Sequence, residues 1–329
     1  MDTLVGHMAG VSCLAWSPDS KTLATGSDDK AIRLWDRVTG SPAYACGADD
    51  GSRGRVRRAG TGPRLGGGRK PLLGHHNYVY CLAFSPKGNI LASGSYDEAV
   101  FLWDVRAGRM MRTLPAHSDP VSGIDFCRDG SLVASCSTDG LIRIWDTSTG
   151  QCLRTLVYED SPAAACVCFS PNGRYVLASY LDSCLRMWDF ISMPSTVKKT
   201  YQGHTNKGFS IGGCFGQLGD RPFVASASED GDVVLWDVRS KAIIQRIERA
   251  HDGVCFGVHV HGETLVTAGQ DGKVVVFRHK GKINEVNGHL SPSPSVDGER
   301  RSPEVEAGPE PVVAAYNGED DSDDEISFV

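Results

Sequence analysis

The chain has 329 residues, of which 40% are hydrophobic and 22% are charged, and its formal net charge is −6. This composition is that of an ordinary globular protein, long enough for one large domain or two medium ones. No apolar run approaches the ~18 residues that a transmembrane helix needs, and the opening MDTLVGH lacks a signal peptide's basic start and apolar core. The 11 cysteines form no C-x-x-C pairs, so neither a disulfide framework nor a metal site is predicted. We therefore expect an intracellular protein without a membrane span.

Six sequence units follow one another along the chain, each marked by an Asp that precedes an aromatic residue by six positions. The pairs are, in chain order, Asp29 and Trp35, Asp97 and Trp103, Asp139 and Trp145, Asp182 and Trp188, Asp230 and Trp236, and Asp271 and Phe277. Successive aromatic residues are separated by 68, 42, 43, 48 and 41 positions. The period is therefore near 42, and the first interval carries an insertion.

Each unit has the local pattern of β-strands joined by tight turns. Short apolar runs such as LATGS, LASGS, LVASCS and FVASAS are each followed by an Asp-containing turn and by a second alternating run, which ends in Trp-Asp. Turns such as SPDSK and SPNGR precede the first run. This period with these residues is typical of WD-repeat propeller blades, which are four-stranded antiparallel sheets. The sequence thus predicts an all-β WD40 propeller with six detectable repeats.

The recurring polar residues predict a structural hydrogen-bond network. A buried Asp must be hydrogen-bonded, and a His, a hydroxyl group and an indole N–H can complete one closed network with it. The predicted members are His7, Thr25, Asp29 and Trp35; His75, Ser93, Asp97 and Trp103; His117, Ser135, Asp139 and Trp145; and His204, Ser226, Asp230 and Trp236.

A serine-hydrolase triad uses the same residue types and is the enzymatic alternative. An active site occurs once, whereas this set recurs along the chain, so we expect a network that supports the fold and no catalytic residues. The fourth unit has neither the His nor the hydroxyl, because YEDSP and Ala178 occupy their places. Because a half-satisfied buried network is costly, the joint absence predicts that the fourth unit has lost the whole network.

Two segments depart from the repeat pattern. Residues 41–70 interrupt the first unit, and the part from Gly47 to Arg69 contains eight Gly and six Arg, which predicts a disordered basic loop. Such a loop could contact acidic partners or nucleic acid through charge, but a surface insertion or translated non-coding sequence is favoured. From Asp297 to Val329 there are 11 acidic and 2 basic residues. We expect a propeller at residues 1–287 and a disordered acidic tail at residues 288–329.

Four stretches closely resemble one particular family of WD-repeat proteins. They are PAHSDPVS (115–122), RDGSLVASCSTDGLIRIWDT (128–147), GQCLRTL (150–156) and FSPNGRYVLASYLDSCLRMWD (169–189). They are similar to the WD-repeat scaffold subunit of COMPASS and MLL-type histone H3 lysine-4 methyltransferase complexes, and the resemblance extends over about residues 4–278. It implies a non-catalytic, nuclear, seven-bladed propeller without cofactors. The unit absent here corresponds to the first blade of that family.

The resemblance also implies two binding surfaces. One end of the family's channel accepts an arginine from the methyltransferase subunit or the histone H3 tail, and a separate surface holds a second core subunit. The residues matching the arginine pocket are Ser12, Asp28, Tyr80, Tyr96, Ser122 and Phe209. Gly212 falls where the family has the pocket's second aromatic ring. The residues matching the second-subunit surface are Asn172, Tyr175, Met187, Phe215 and Gln245.

The resulting hypothesis is a scaffold that assembles a COMPASS-like histone H3 lysine-4 methyltransferase complex. Its expected partners are the methyltransferase subunit, other core subunits and an arginine-bearing peptide such as the histone H3 tail, with no direct nucleic-acid contact and no membrane. The alternative is a different WD-repeat adaptor, such as a ubiquitin-ligase substrate receptor or an RNA-processing subunit. Both are binding proteins rather than enzymes.

Overall fold

The computed structural model describes residues 3–40 and 70–279, where the chain forms six consecutive antiparallel sheets. The first strands of successive sheets pack against one another from β1 to β4, β8, β12, β16 and β20, which makes them the innermost strands of a ring. The sheets are therefore the blades of a six-bladed propeller, and the predicted all-β WD40 fold is confirmed. No described helix is long and apolar enough to cross a membrane.

Blades 2 to 5 have four strands each, whereas blades 1 and 6 have three among the described residues. The strands of blades 1 to 3 are β1 (Val11–Trp16), β2 (Thr22–Ser27) and β3 (Ile32–Asp36); β4 (Val79–Phe84), β5 (Ile90–Ser95), β6 (Val100–Asp104) and β7 (Arg109–Leu114); and β8 (Val121–Phe126), β9 (Leu132–Ser137), β10 (Leu141–Asp146) and β11 (Cys152–Val157). Those of blades 4 to 6 are β12 (Ala164–Phe169), β13 (Tyr175–Tyr180), β14 (Cys184–Asp189) and β15 (Thr196–Gln202); β16 (Gly213–Leu218), β17 (Arg221–Ala227), β18 (Val233–Asp237) and β19 (Ile243–Ile247); and β20 (Cys255–His261), β21 (Thr264–Gly269) and β22 (Val274–Arg278).

The insertion interrupts blade 1 just before its outer edge. Leu72 bridges Ile32 of β3 through two backbone hydrogen bonds of 2.8 and 3.2 Å, so it occupies the position of a fourth strand. Except for Lys70, the predicted disordered loop at 41–70 lies outside the described residues. The predicted acidic tail at 288–329 and the domain boundary at 287 also lie outside them.

The hydrophobic core lies between blades rather than within any one of them. A Cβ atom built on Gly26 would lie 2.7 Å from a side-chain methyl of Val79, and one on Gly94 would lie 2.5 Å from a methyl of Val121. Only glycine permits this close approach of a sheet to the next blade. The interfaces of blade 1 with blade 2 and of blade 2 with blade 3 therefore depend on a valine from one blade fitting against bare backbone of its neighbour.

The predicted network is confirmed in blades 1 to 3. In blade 1 the indole N–H of Trp35 donates to the Thr25 hydroxyl over 2.8 Å, and the hydroxyl oxygen lies 2.7 Å from Nε2 of His7. Nδ1 of His7 lies 2.8 Å from the carboxylate of Asp29. When the imidazole proton is on Nδ1, the indole, the hydroxyl and the imidazole each donate one hydrogen bond, and the carboxylate accepts the last one. Blades 2 and 3 repeat the geometry with distances of 2.7–3.2 Å.

The prediction for blade 5 is wrong. Neither ring nitrogen of His204 has a hydrogen-bond partner among the described residues, and burial lowers the pKa of His204 to about 4. The Trp236 indole donates to the Gln202 carbonyl instead, and the Ser226 hydroxyl donates to the Ala227 carbonyl. Asp230 lies 3.9 Å from the Arg246 guanidinium. His204 stands 26 positions before Asp230 instead of 22, so the longer loop does not bring the ring to the carboxylate.

Blade 4 has replaced its network rather than lost it, which corrects the prediction from its missing His and hydroxyl. The indole of Trp188 donates to the Tyr180 hydroxyl over 3.0 Å. Arg186 is buried, pairs with Asp182 and lies 3.9 Å from the ring centroid of Tyr158 and 4.8 Å from that of Tyr180. A guanidinium stacked between two rings thus takes the place of the imidazole.

We expect Asp139→Ala to lower the free energy of unfolding by about 2–4 kcal/mol, because it leaves donors from His117 and from the backbone of Ser118 and Leu141 without an acceptor. Asp230→Ala is the matched control, since Asp230 holds the same repeat position but contacts no His. Asp230→Ala should lower the free energy of unfolding by less than about 1 kcal/mol. Denaturant unfolding measures both variants, and equal losses would contradict the assignment of the network.

Candidate binding surfaces

A β-bulge recurs at the same place in five of the six innermost strands. In each case the register with the neighbouring strand shifts by one residue just after the first residue of the strand. Bulges re-aim one side chain and leave it out of the ladder. The bulged residues are Ser12, Tyr80, Ser122, Ala165 and Phe256. Because each begins an innermost strand, these residues surround one mouth of the central channel.

The part of this mouth formed by blades 1 and 2 combines a carboxylate with exposed tyrosine rings. The hydroxyl of Ser12 donates to Asp28 over 2.6 Å. Tyr80 and Tyr96 meet edge to face with ring centroids 5.8 Å apart, and Tyr78 lies 6.2 Å from Tyr96. The structure thus brings Ser12 together with Asp28, and Tyr80 together with Tyr96, as the sequence predicted.

The electrostatics of this cluster favour a cation. Burial raises the pKa of Tyr80, and the negative charge of Asp28 raises it further. Within the described residues, Asp28 forms no ion pair. A carboxylate without a cationic partner, beside the faces of exposed aromatic rings, is an arrangement that binds a guanidinium by charge and by stacking.

The part of the mouth formed by blades 5 and 6 contains an aromatic pair, of which sequence analysis found only one member. Phe209 and Phe256 are both exposed, and their ring centroids lie 5.6 Å apart at an angle of 72°. Phe256 was missed because it occupies none of the recurring positions that define the sequence repeat. Its bulged position, shared with Tyr80, is the signal that would have found it. Phe256 supplies a second ring on the side where Gly212 lacks one.

Ser122 lies at the channel mouth and also joins two blades. Its hydroxyl donates to the Ala164 carbonyl over 2.6 Å and so joins blade 3 to blade 4. This hydrogen bond occupies the hydroxyl proton. Ser122 can still offer its acceptor lone pairs to a ligand, which is what a guanidinium, a group that only donates, requires.

A single carboxylate positions the loop that carries Phe209. One oxygen of Glu229 accepts hydrogen bonds from the backbone N–H groups of Lys207 (2.6 Å), Gly208 (2.7 Å) and Phe209 (3.2 Å). Burial raises the pKa of Glu229, but these donors outweigh burial and hold the pKa below its ordinary value. Glu229 thus orders the loop on one side of the channel mouth through hydrogen bonds to its backbone.

The predicted second-subunit surface lies where blades 4 and 5 meet. Tyr175 and Phe215 are half-buried and pack against one apolar cluster that spans both blades. Met187 belongs to the buried part of this cluster, so its assignment to the surface is wrong, because β14 turns its side chain inward. Asn172 is exposed in the turn before β13, and Gln245 is half-buried on the outer strand β19.

Residues 3–40 and 70–279 contain no cluster of three or more His, Cys, Asp or Glu side chains that could hold a metal ion. The ten cysteines in these ranges are free thiols. Burial raises the pKa of most of them, that of Cys214 to about 12, so these groups stay protonated and unreactive.

Repeated Trp–hydroxyl–His–Asp hydrogen bonds on four-stranded blades define this protein as a WD40-repeat propeller, a fold that is typically a non-catalytic scaffold. Its sequence from residue 1 to residue 278 matches the profile of the WDR5 beta-propeller domain. The chain therefore belongs to the WDR5 beta-propeller family.

Several named proteins are similar to this chain. The COMPASS component SWD3 of Saccharomyces cerevisiae is 30% identical over 84% of both chains. A ribosome biogenesis protein WDR12 homolog of Oryza sativa subsp. japonica is 24% identical over 83% of this chain, which spans 52% of that protein. The solved structure of U3-55K shares the fold with a TM-score of 0.65 and 21% identity, over 84% of this chain and 79% of that one. The structure of the RRP9 WD40 repeats has a TM-score of 0.66 and 20% identity, over 84% of this chain and 78% of that one.

We expect Glu229→Ala to loosen the loop at 205–212 and to lower the free energy of unfolding by about 1–3 kcal/mol, because three N–H groups lose their acceptor. The pKa of Glu229 is depressed in the folded state, so its contribution is complete above the ordinary pKa of 4.5 and disappears as the pH falls through the folded pKa.

Hydrogen exchange at Lys207, Gly208 and Phe209 measures this effect. Glu229→Gln is the control, because its side-chain oxygen can still accept these hydrogen bonds and should preserve much of the protection. Unchanged exchange in Glu229→Ala would show that the loop is ordered by other contacts.

Proposed function

We propose that this protein is a nuclear scaffold that assembles a COMPASS-like histone H3 lysine-4 methyltransferase complex. The observation that carries the proposal is the similarity to the COMPASS component SWD3, which extends over 84% of both chains rather than over isolated repeats. The proposed partners are the methyltransferase subunit and other core subunits. Membership of the WDR5 beta-propeller family supports a role in protein–protein binding.

At the channel mouth, the proposed ligand is an arginine side chain from the methyltransferase subunit or the histone H3 tail. Tyr80 and Tyr96 offer ring faces to a guanidinium, and Asp28 offers it a carboxylate. Phe209 and Phe256 supply a second aromatic wall for the residues that flank the arginine. Arginine suits this site better than lysine, because its planar group can stack and hydrogen-bond at once.

At the junction of blades 4 and 5, the proposed ligand is a segment of a second core subunit. Tyr175 and Phe215 are half-exposed above a buried apolar floor that includes Met187, and aromatic residues in such a position are good interface anchors. The Arg174 guanidinium borders this surface, since it lies 5.6 Å from the Tyr175 ring centroid and pairs with Asp189. The two surfaces lie on different parts of the propeller and should act independently.

A role in RNA processing or ribosome biogenesis is the second candidate. It is favoured by the similarity to the WDR12 homolog, at 24% identity over 83% of this chain. A protein of this class would use the same propeller with different partners. Mass spectrometry of the proteins that co-purify with the tagged chain separates the two, because it yields methyltransferase subunits in one case and ribosome-assembly proteins in the other.

We expect a histone H3 tail peptide to bind the channel mouth in calorimetric titration. Tyr80→Ala should weaken binding by about 2- to 30-fold, which is the range that a lost cation–π contact of about 0.5–2 kcal/mol implies. Asp28→Asn should weaken binding by a similar factor, and replacing the peptide's arginine with lysine should also weaken it.

Tyr175→Ala is the matched control and should leave the affinity for this peptide unchanged. Gly212→Phe should tighten binding, since a Cβ atom at Gly212 has no neighbour closer than 3.9 Å. Absence of binding by the parent chain and by this variant would rule out the arginine site while leaving the second surface untested by that result.

We expect Tyr175→Ala combined with Phe215→Ala to weaken binding of the second core subunit more than tenfold, because each anchor contributes over about 1 kcal/mol. Phe209→Ala, which removes an exposed aromatic at the channel mouth, is the matched control. Co-precipitation and the melting temperature are measured together. Undiminished binding by a folded double variant would contradict the proposed surface.

A further inference from the structure

A groove lies between blades 2 and 3, at the end of the blades opposite the channel mouth. It has a volume of about 290 Å³, and its walls come from β7 and from the turns that follow β4, β8 and β10. The lining residues that bring charge, apolar surface or a buried hydroxyl are Lys87, Ile90, Met111, Arg112, Asp129 and Thr147. None of them belongs to either of the two proposed binding surfaces, so the groove is a separate region of the molecule.

A β-bulge on the outer strand of blade 2 turns an apolar side chain toward this groove. The register between β6 and β7 shifts just before Trp103, which leaves Met111 without a partner in the ladder. A bulge re-aims the residue that it leaves unpaired. Met111 is 50% exposed and lines the groove together with Ile90. Because methionine adapts its shape to different apolar ligands, this wall suits an apolar side chain of a binding partner.

Cations without acidic partners surround the groove. Lys87 and Arg112 line it, and Arg109 and Arg128 are each within two residues of a lining residue along the chain. All four side chains are exposed, and none of them forms an ion pair within residues 3–40 and 70–279. The Arg112 guanidinium donates to a backbone carbonyl of blade 3, which fixes it beside the groove.

The acidic side chain of the groove is engaged by its own turn. One oxygen of Asp129 accepts hydrogen bonds from the Cys127 thiol (2.7 Å) and from the backbone N–H (2.9 Å) and hydroxyl (2.7 Å) of Ser131. These donors hold the pKa of Asp129 down at about 2. Asp104 and Asp146, at the ends of β6 and β10, likewise accept hydrogen bonds from their own turns. The cations of the groove are therefore left for a ligand.

The groove wall also contains a buried hydroxyl without a partner. Thr147 is 8% exposed, and its Oγ1 has no hydrogen-bond partner among the described residues. Buried hydroxyls are nearly always hydrogen-bonded, because an unpaired one is costly. A carboxylate or carbonyl oxygen of a ligand would supply the missing partner. Cations, an apolar wall and an unpaired hydroxyl together suit an acidic peptide that also carries an apolar side chain.

One segment of this chain has that composition. Six of the seven residues at 319–325 are acidic, and Ile326 and Phe328 follow directly. The segment lies outside the described residues, and the 39 residues from 280 to 318 separate it from the last described one. A chain of that length extends up to about 130 Å, so it is long enough to reach any part of the propeller.

We propose that residues 319–328 of this chain bind the groove between blades 2 and 3. The acidic run contacts Lys87 and Arg112, and an apolar residue that follows it contacts Met111. Because the contact is intramolecular, the segment occupies the groove at a high effective concentration and excludes other acidic peptides from it. The proposal does not depend on the methyltransferase scaffold, because the groove shares no residue with the two surfaces proposed for that function.

The probe is a fluorescein-labelled peptide of residues 317–329, and fluorescence anisotropy measures its binding. The receptor is the full chain with Asp→Asn and Glu→Gln at the six acidic positions of 319–325, which keeps the chain length but removes the competing charge. We expect the peptide to bind this receptor, and to bind the parent chain about tenfold more weakly because the parent's own segment occupies the groove. Raising the salt concentration from about 50 to about 500 mM should weaken the binding.

Lys87→Glu combined with Arg112→Glu in this receptor should weaken peptide binding by about tenfold or more, because two attractions become repulsions. The melting temperature should stay nearly unchanged, since both side chains are exposed. Lys241→Glu is the matched control, because it reverses an exposed cation at the same end of blade 5. It should leave the affinity for the peptide unchanged.

A carbodiimide joins an amine to a carboxylate as an amide and therefore reports the contact within the parent chain. We expect mass spectrometry to find a cross-link between Lys87 and residues 319–325. Lys87→Arg keeps the charge but has no amine to react, so this variant should lose the cross-link while its segment still competes with the labelled peptide.

Four results would overturn the proposal. The first is a receptor that does not bind the peptide, and the second is binding that the two groove substitutions leave unchanged. The third is equal affinity of the receptor and the parent chain, because the parent's own segment would then not occupy the groove. The fourth is a mixture of isotope-labelled and unlabelled chains in which the cross-link joins two different chains, because a second copy would then supply the segment.

Discussion

Every blade of this propeller is a thin sheet that is apolar on both surfaces, and packing against neighbouring blades is what buries those surfaces. The positions of the bare-backbone contacts at Gly26 and Gly94 follow from this constraint, because a side chain of the next blade must reach the sheet itself. The core consequently runs around the ring as a series of interfaces. The channel and its rim exist because these interfaces bring the innermost strands side by side.

The blades depend more on that packing than on the recurring hydrogen-bond network. Blades 4 and 5 do without the His–Asp contact, yet Trp188 and Trp236 remain buried and their sheets keep the same order. In blade 4 the Arg186–Asp182 pair, with its guanidinium between two tyrosine rings, performs the same task of joining loop to sheet. Different chemistries can thus support one blade, and the sheet of blade 5 persists although neither ring nitrogen of buried His204 has a hydrogen-bond partner among the described residues.

Binding chemistry lies at positions that the packing leaves free. The bulge at the start of five of the six innermost strands removes one residue from the ladder, and this position holds Ser12, Tyr80 and Phe256 in different blades. Because the exposed Tyr80 and Phe256 side chains lie outside the packed interfaces, they can vary independently of the scaffold. A propeller of this family can therefore keep its framework while its channel mouth acquires a different ligand.

The sequence by itself determined the fold, the number of repeats and most of the network in blades 1 to 3, because the period and the spacing from His7 to Asp29 are local properties of each repeat. Tertiary structure decided which polar groups meet. The four extra residues between His204 and Asp230 separate them, Arg186 reaches the ring of Tyr158 after β11 and that of Tyr180 on β13, and Phe256 comes to Phe209 from another blade. Burial of Met187 depends on packing against the neighbouring blade, and no pattern within a repeat records that.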